Sequence, residues 1–411
     1  MDNRIVITGI GIVSPIGIGK DIFWDNCLSG VSGVGKISYF DTAQYRTKIA
    51  AIIKDFKADD FLEKKVIRKT DRFAHFALAA SKLALKDSKL NIDNNLSTRL
   101  GIYLGTGLGG MFFYEKQILL VMKSGMDHAH PFSIPMIMPN GASNNIAILL
   151  NAKGPNLTVC TACSSSAHSI GLAYDAIRRG RAEIVIAGGA EAPVVEYTFA
   201  GFDAMRVMSA NNAKPNEASR PFDKRRDGFV MGEGSAMLIL ESLKSAKARK
   251  ANIYAEIIGY SATSGAYHFV APQPDGLDIV RAMDICIREA NVDPQSIDYI
   301  NAHGTSTVAN DKVETLAIKK VFKKYANRIP ISSTKSMLGH TLGAAGAFEI
   351  AVSALSIYTG KIHPTINYET MDAECDLDYV PNKYRDVKVN IALSNSFAFG
   401  NNNACIMLRR Y

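Results

Sequence analysis

The chain has 411 residues, 47% hydrophobic and 21% charged, with 47 Lys and Arg against 39 Asp and Glu. This length exceeds a single simple core, and the balance is that of a folded globular protein, which excludes extended disorder. The formal charge of +8 comes with no zinc-ligand spacing and no aromatic-rich basic motif, so an acidic protein or a phosphorylated ligand accounts for it better than a nucleic acid.

Short β-branched runs alternate with helical periodicity along the chain. Residues 4–8, 100–104, 184–187, 236–240, 299–301 and 389–393 read as buried strands; 73–89, 164–179, 276–290, 312–322 and 343–359 read as helices. The alternation predicts a layered α/β architecture without linkers. The N-terminal segment lacks the features of a signal peptide, and no uninterrupted apolar run reaches 18 residues. The six cysteines are dispersed (Cys27, Cys160, Cys163, Cys286, Cys375, Cys405), which fits a reducing, cytoplasmic setting rather than a disulfide framework.

The most informative segment is Leu157 to Gly180. A strand-like lead meets small residues, then Cys163, then an amphipathic helix. Cys163 is thereby predicted at a helix N-terminus, where unpaired N–H groups favour an anion. An ordinary thiol is only about 3% thiolate at pH 7, so a lowered pKa at a helix end would activate it. The same N–H groups suit an oxyanion. Ala162, Ser164, Ser165 and Ser166 are expected to leave room for a substrate, while Cys160 reads as a small buried hydrophobe.

Two histidines stand in similar contexts. His303 lies in Asn301-Ala302-His303-Gly304-Thr305-Ser306-Thr307, and His340 ends Ser332-Ser333-Thr334-Lys335-Ser336-Met337-Leu338-Gly339-His340. Both follow strand-like runs, where α/β proteins place their sites. One Cys with two His does not make a hydrolytic triad. Two neutral imidazoles can instead donate N–H groups to one enolate oxygen. Lys335 is expected to fix local charge or hold Glu314.

TACSSS around Cys163, AGGAEAP at 187–193, SRPFDKRRDGFVMGEG at 219–234, NAHGTST around His303 and SSTKSMLGHTLGAAGA around His340 together resemble the β-ketoacyl-[acyl carrier protein] synthases of the type I/II group, within the thiolase superfamily. The resemblance spans essentially the whole chain. It implies a thiolase-like five-layered α/β/α/β/α fold of two similar halves, 1–250 carrying the Cys and 251–411 carrying both His. It also implies a dimer, with an identical chain or with a homologous chain-length-factor subunit, and acyl carrier protein as partner. No cofactor or metal is implied, since substrates ride on the carrier's phosphopantetheine arm.

The resemblance further implies that Cys163 accepts the acyl chain, that His303 and His340 promote malonyl decarboxylation, and that Lys335 pairs with Glu314. Phe399 would gate the site and share an oxyanion hole with Cys163 through backbone N–H groups. Thr305 and Thr307 would hold the pantetheine arm, Leu108 and Phe202 would border the acyl pocket, and Lys65, Arg68, Lys69 and Arg206 would dock the carrier. The sequence departs from the family pattern at Ala398, Asn401 and Asn310, each in place of glycine; Asn401 is expected to keep a positive φ. The Asn310-Asp311 wording and Phe202-Asp203-Ala204 lean toward the ketosynthase α subunits of type II polyketide synthases, with a fatty-acid synthase II homodimer as the alternative. Gly105-Thr106-Gly107-Leu108-Gly109-Gly110 also satisfies a dinucleotide-binding pattern, a weak signal alone. A chain-length-factor reading lacks support because Cys163 is present. A thiolase would need a second Cys in the terminal loop, and a type III synthase an Asn in place of His340.

Overall fold

The computed structural model describes residues 4–411. Its ten principal strands are β1 (Ile5–Ser14), β2 (Leu100–Gly105), β3 (Asn156–Val159), β4 (Ile184–Glu191), β5 (Gly234–Ser242), β6 (Ala255–Ser264), β7 (Tyr299–Asn301), β8 (Ile331–Ser332), β9 (Ile391–Phe397) and β10 (Asn402–Arg409). The helices that matter here are α1 (Arg72–Ser88), α2 (Met111–Ser124), α3 (Gly141–Leu150), α4 (Ser165–Arg178), α5 (Leu277–Ala290), α6 (Val308–Phe322) and α7 (Ala345–Thr359).

The sheet repeats one pattern twice. The first five strands are ordered β3-β2-β4-β5-β1 and the second five β8-β7-β9-β10-β6. In each set the first three strands run parallel and the remaining pairings are antiparallel. A short antiparallel pairing of Ile5–Ile7 with Ala255–Ile257 joins the sets. Helix α1 covers the outer face of the first half, α5 and α6 that of the second, and α4 and α7 lie between the halves. This is the expected five-layered arrangement.

Buried residues dominate the central helices: α7 is covered along nearly its whole length, and the stretch Leu342–Thr359, apolar enough to cross a membrane by length and composition, is 89% buried in the protein. Its hydropathy is that of a core helix packed on both faces. Strand β1 runs six residues past the predicted 4–8 because Gly9 and Gly11 continue it: a Cβ there would lie 2.5 Å from Ala84 O and 1.9 Å from Ala80 O of α1. Strand β9 spans 391–397 rather than 389–393, since Ser394, Asn395 and Ser396 are polar yet buried. Helix α6 starts at Val308 rather than 312, because Thr307 caps it by accepting from the Asn310 N–H.

Candidate active site

Strand β3 ends at Val159, three residues before an abrupt turn. Ala162 sits at φ 49°, an uncommon conformation for a residue with a Cβ, and the chain then enters α4 through its N-cap Ser164. This places Cys163 just outside the helix N-terminus, 7% exposed. The serines do not clear space for a substrate, contrary to expectation. Ser164, Ser165 and Ser166 are fully buried and tie the start of α4 to its neighbours: Ser164 Oγ lies 3.0 Å from Ser396 O of β9 and 2.8 Å from Asn402 O of β10, and Ala347 N–H of α7 donates to Ser166 Oγ at 2.9 Å. Cys160 is a second correction, being exposed, with Sγ 3.4 Å from Gly107 O. All six cysteines are unpaired.

A cavity of about 280 Å³ brings together Cys163, His303, His340, Phe202, Thr305, Thr307 and Phe399. The rings of His303 and His340 meet edge to face, their centroids 5.5 Å apart. Lys335 Nζ reaches His303 Nδ1 at 3.3 Å and His303 O at 2.6 Å. The backbone N–H of Leu342 reaches His340 Nδ1 at 3.3 Å. With Nδ1 accepting in each ring, the proton resides on Nε2 of both. Burial, the Lys335 charge and the neighbouring His340 hold His303 well below the usual histidine range; burial and Lys335 do the same for His340. Both rings are therefore neutral N–H donors.

Lys335 does not pair with Glu314. Its ammonium pairs with Glu349 on α7, both side chains almost fully buried. Glu314 instead takes the backbone N–H groups of His303 at 2.9 Å and Gly304 at 2.8 Å. It fixes the turn that carries the imidazole rather than a charge beside it, and burial pushes its carboxyl up to about 7 against those two donors. Glu349 escaped the sequence reading although an acid inside an apolar helix was the visible signal. Asp311 also escaped; it accepts from Thr305 N–H at 2.9 Å and Phe222 N–H at 2.8 Å and lies near Arg226.

The thiol also departs from expectation. Burial pushes Cys163 up to about 12, opposed by the Lys335 charge and by the Phe399 backbone N–H directed at its sulfur. Desolvation outweighs whatever the helix end contributes. Phe399 faces Phe202 at 6.4 Å between centroids, and Thr305 and Thr307 share a hydroxyl hydrogen bond of 2.8 Å. Leu108 is half-buried against the apolar cluster that contains Cys163 but does not line the cavity. Asn401 adopts φ 53° as expected. Lys65, Arg68, Lys69 and Arg206 are all exposed; Lys65 pairs with Glu63 at 2.8 Å, and Lys69 lies 4.8 Å over the Phe132 ring.

The family model for the N-terminal domain of β-ketoacyl synthases matches residues 2–246, and that for the C-terminal domain matches 254–369. The chain is 45% identical over 410 residues to a 3-oxoacyl-[acyl-carrier-protein] synthase 2 of Staphylococcus aureus, covering 100% of this chain and 99% of that one. It is 45% identical over 408 residues to the protein of the same name from Synechocystis, covering 99% and 98%. Among solved structures, a type II polyketide ketosynthase in complex with its acyl-carrier protein superposes with TM-score 0.93 at 34% identity over the whole of both chains. The ishigamide ketosynthase/chain length factor superposes with TM-score 0.93 at 35% identity, covering 100% and 99%. The chain belongs to the β-ketoacyl synthase family, the acyltransferase-type condensing enzymes.

Proposed function

We propose that this condensing enzyme takes an acyl chain from acyl carrier protein onto Cys163 and extends it with a malonyl unit that loses carbon dioxide. The observation that carries the reading is the pair of imidazoles, each with Nδ1 occupied and Nε2–H free to donate, in one cavity with the thiol. In the first step the Cys163 sulfur attacks the acyl thioester carbonyl. The new oxyanion is received by the N–H groups of Cys163 and Phe399, and the pantetheine thiol leaves carrying the proton the sulfur gave up. Because the resting thiol is protonated, this loss accompanies substrate arrival. In the second step the malonyl carboxylate departs as carbon dioxide while both Nε2–H groups hold the enolate oxygen. The enolate carbon attacks the Cys163 thioester, a carbon–carbon bond forms, and the sulfur leaves as a thiolate that takes up one proton from solvent to restore the resting thiol.

Thr305 and Thr307 at the cavity rim suit the pantetheine arm, Phe202 the acyl chain, with Leu108 in the apolar cluster around Cys163, and Phe399 the entrance. Exposed Lys65, Arg68, Lys69 and Arg206 suit an acidic carrier, acting mainly on association rate. The repeated strand order supports dividing the chain into halves at about residue 250. Strand β3 pairs on one side only, and exposed Leu157, Ile148, Leu119, Met122 and Ile134 extend that edge as an apolar face, which supports a dimer.

The 45% identity to proteins named 3-oxoacyl-[acyl-carrier-protein] synthase 2 favours the fatty-acid elongation reading, for which the expected assembly is a homodimer. The second reading, a type II polyketide ketosynthase with a chain-length-factor partner, is favoured by the superposition on such enzymes. Mass spectrometry of the Cys163 peptide after incubation with loaded carrier proteins tests the chemistry. Cys163→Ala should abolish the acyl adduct and keep malonyl decarboxylation, while His303→Ala or His340→Ala should lower decarboxylation about 100-fold. Full condensation by either histidine variant would refute the assignment. Elongation of saturated chains by the purified chain alone separates the two pathway readings.

A further inference from the structure

The loop Thr106–Gly110, which meets a dinucleotide-binding pattern by wording, has its anion-binding groups already filled. Glu191, at the end of β4 and fully buried, accepts from Gly107 N–H at 2.6 Å, Leu108 N–H at 3.1 Å and Thr106 Oγ1–H at 2.8 Å. A fourth donor comes from across the site: Gly343 N–H, at 2.9 Å. No salt bridge to Glu191 is present among the described residues, so N–H and O–H dipoles alone solvate it. The two loops touch directly. A Cβ on Gly343 would fall 2.2 Å from Gly107 N and 2.5 Å from Glu191 Oε2, so only glycine lets the second loop reach the carboxylate.

Each loop carries something the reaction uses. Leu108 packs into the apolar cluster around Cys163. Leu342, next to Gly343, supplies the N–H that occupies His340 Nδ1 and lines the cavity. We propose that Glu191 is a positioning residue that couples the loop of Leu108, which packs in the apolar cluster around Cys163, to the loop that holds His340 in its Nε2–H form. The proposal rests on the site reading above.

Glu191→Gln preserves volume but replaces one oxygen by NH2. Each oxygen receives at least one backbone N–H, so in either orientation the amide faces a donor it cannot accept. The probes are a series of saturated acyl-pantetheine thioesters of increasing length, and malonyl-pantetheine alone. The variant should shift the chain-length optimum for Cys163 acylation. It should also lower kcat for malonyl decarboxylation about tenfold with KM little changed, the loss expected for one broken hydrogen bond to a charged group. Simple destabilisation would scale all chain lengths by one factor. Thr106→Val, which removes a single donor, should shift the optimum in the same direction by less, and it decides the matter if Glu191→Gln does not fold. An unchanged length profile and unchanged decarboxylation, with Cys163→Ala inactive in acylation, would overturn the coupling alone. Acylation surviving in Cys163→Ala would overturn the site reading and the coupling with it.

Discussion

The ammonium of Lys335 lies 3.3 Å from His303 Nδ1 while it is paired with the carboxylate of Glu349. One buried cation therefore keeps a proton off the inner face of an imidazole and is neutralised from the opposite helix. Removing either partner leaves the other charge buried, which costs about 3–5 kcal/mol in comparable pairs. Lys335→Met should lower the melting temperature sharply. The double variant Lys335→Met, Glu349→Leu should recover much of that stability without recovering decarboxylation. Calorimetry beside a decarboxylation assay checks both, and a double variant no more stable than the single would contradict the pairing.

Neutral histidines set the acid limb of the reaction. A free imidazole of pKa near 6.5 would be about three-quarters protonated at pH 6. His303 and His340 are held well below that value, so a lowered pKa keeps the donating, neutral form populated as pH falls. Malonyl decarboxylation by Cys163→Ala should stay level down through pH 6 and decline only further into acid. An inflection near 6.5 in its pH–kcat profile would show that the rings titrate freely.

The resting thiol gives the opposite limb. With Cys163 pushed up to about 12, its thiolate fraction at pH 7 is on the order of one in 10⁵. Alkylation of Cys163 by iodoacetamide should therefore keep rising with pH through 9 and 10. A plateau by pH 8.5, followed by peptide mass spectrometry, would mean that the helix end outweighs burial.

Asn401 does more than tolerate its positive φ. Its Oδ1 accepts from Tyr267 N–H at 3.2 Å and His268 N–H at 2.9 Å, and its Nδ2 donates to Ala271 O at 3.1 Å. The segment 267–271 is thereby tied to the loop that carries Phe399, and Gly400 N–H adds a bond of 2.8 Å to Phe269 O. Asn401→Gly keeps the backbone geometry and removes three hydrogen bonds, each worth about 1 kcal/mol net. Amide hydrogen exchange at Tyr267 and His268 should accelerate while the central helices stay protected. Unchanged exchange at those two amides would rule out the tie.

Elements with strong local signals were legible in the sequence. The periodicity of α1, α4, α5 and α7 placed them closely, and the small-residue turns after β3, β7 and β8 marked Cys163, His303 and His340. The partner of Lys335 was not legible. Glu314 and Glu349 are both acids on helices, and nothing local says which faces the ammonium. Nor could the serines after Cys163 declare their use, because small size serves an open pocket and a tight helix crossing equally. Glu191 lay inside a quoted motif, yet its four donors come from two loops far apart in the chain.

By itself the sequence determined the kinds of groups available, the elements that carry them and the family, because periodicity, turn residues and motif order are local properties of the chain. Tertiary structure alone decided which carboxylate meets Lys335, how deeply the thiol is desolvated, and where the protons sit on the two imidazoles. Those outcomes depend on solvent exclusion and on donors supplied from across the sheet, and neither is encoded in any short stretch of residues.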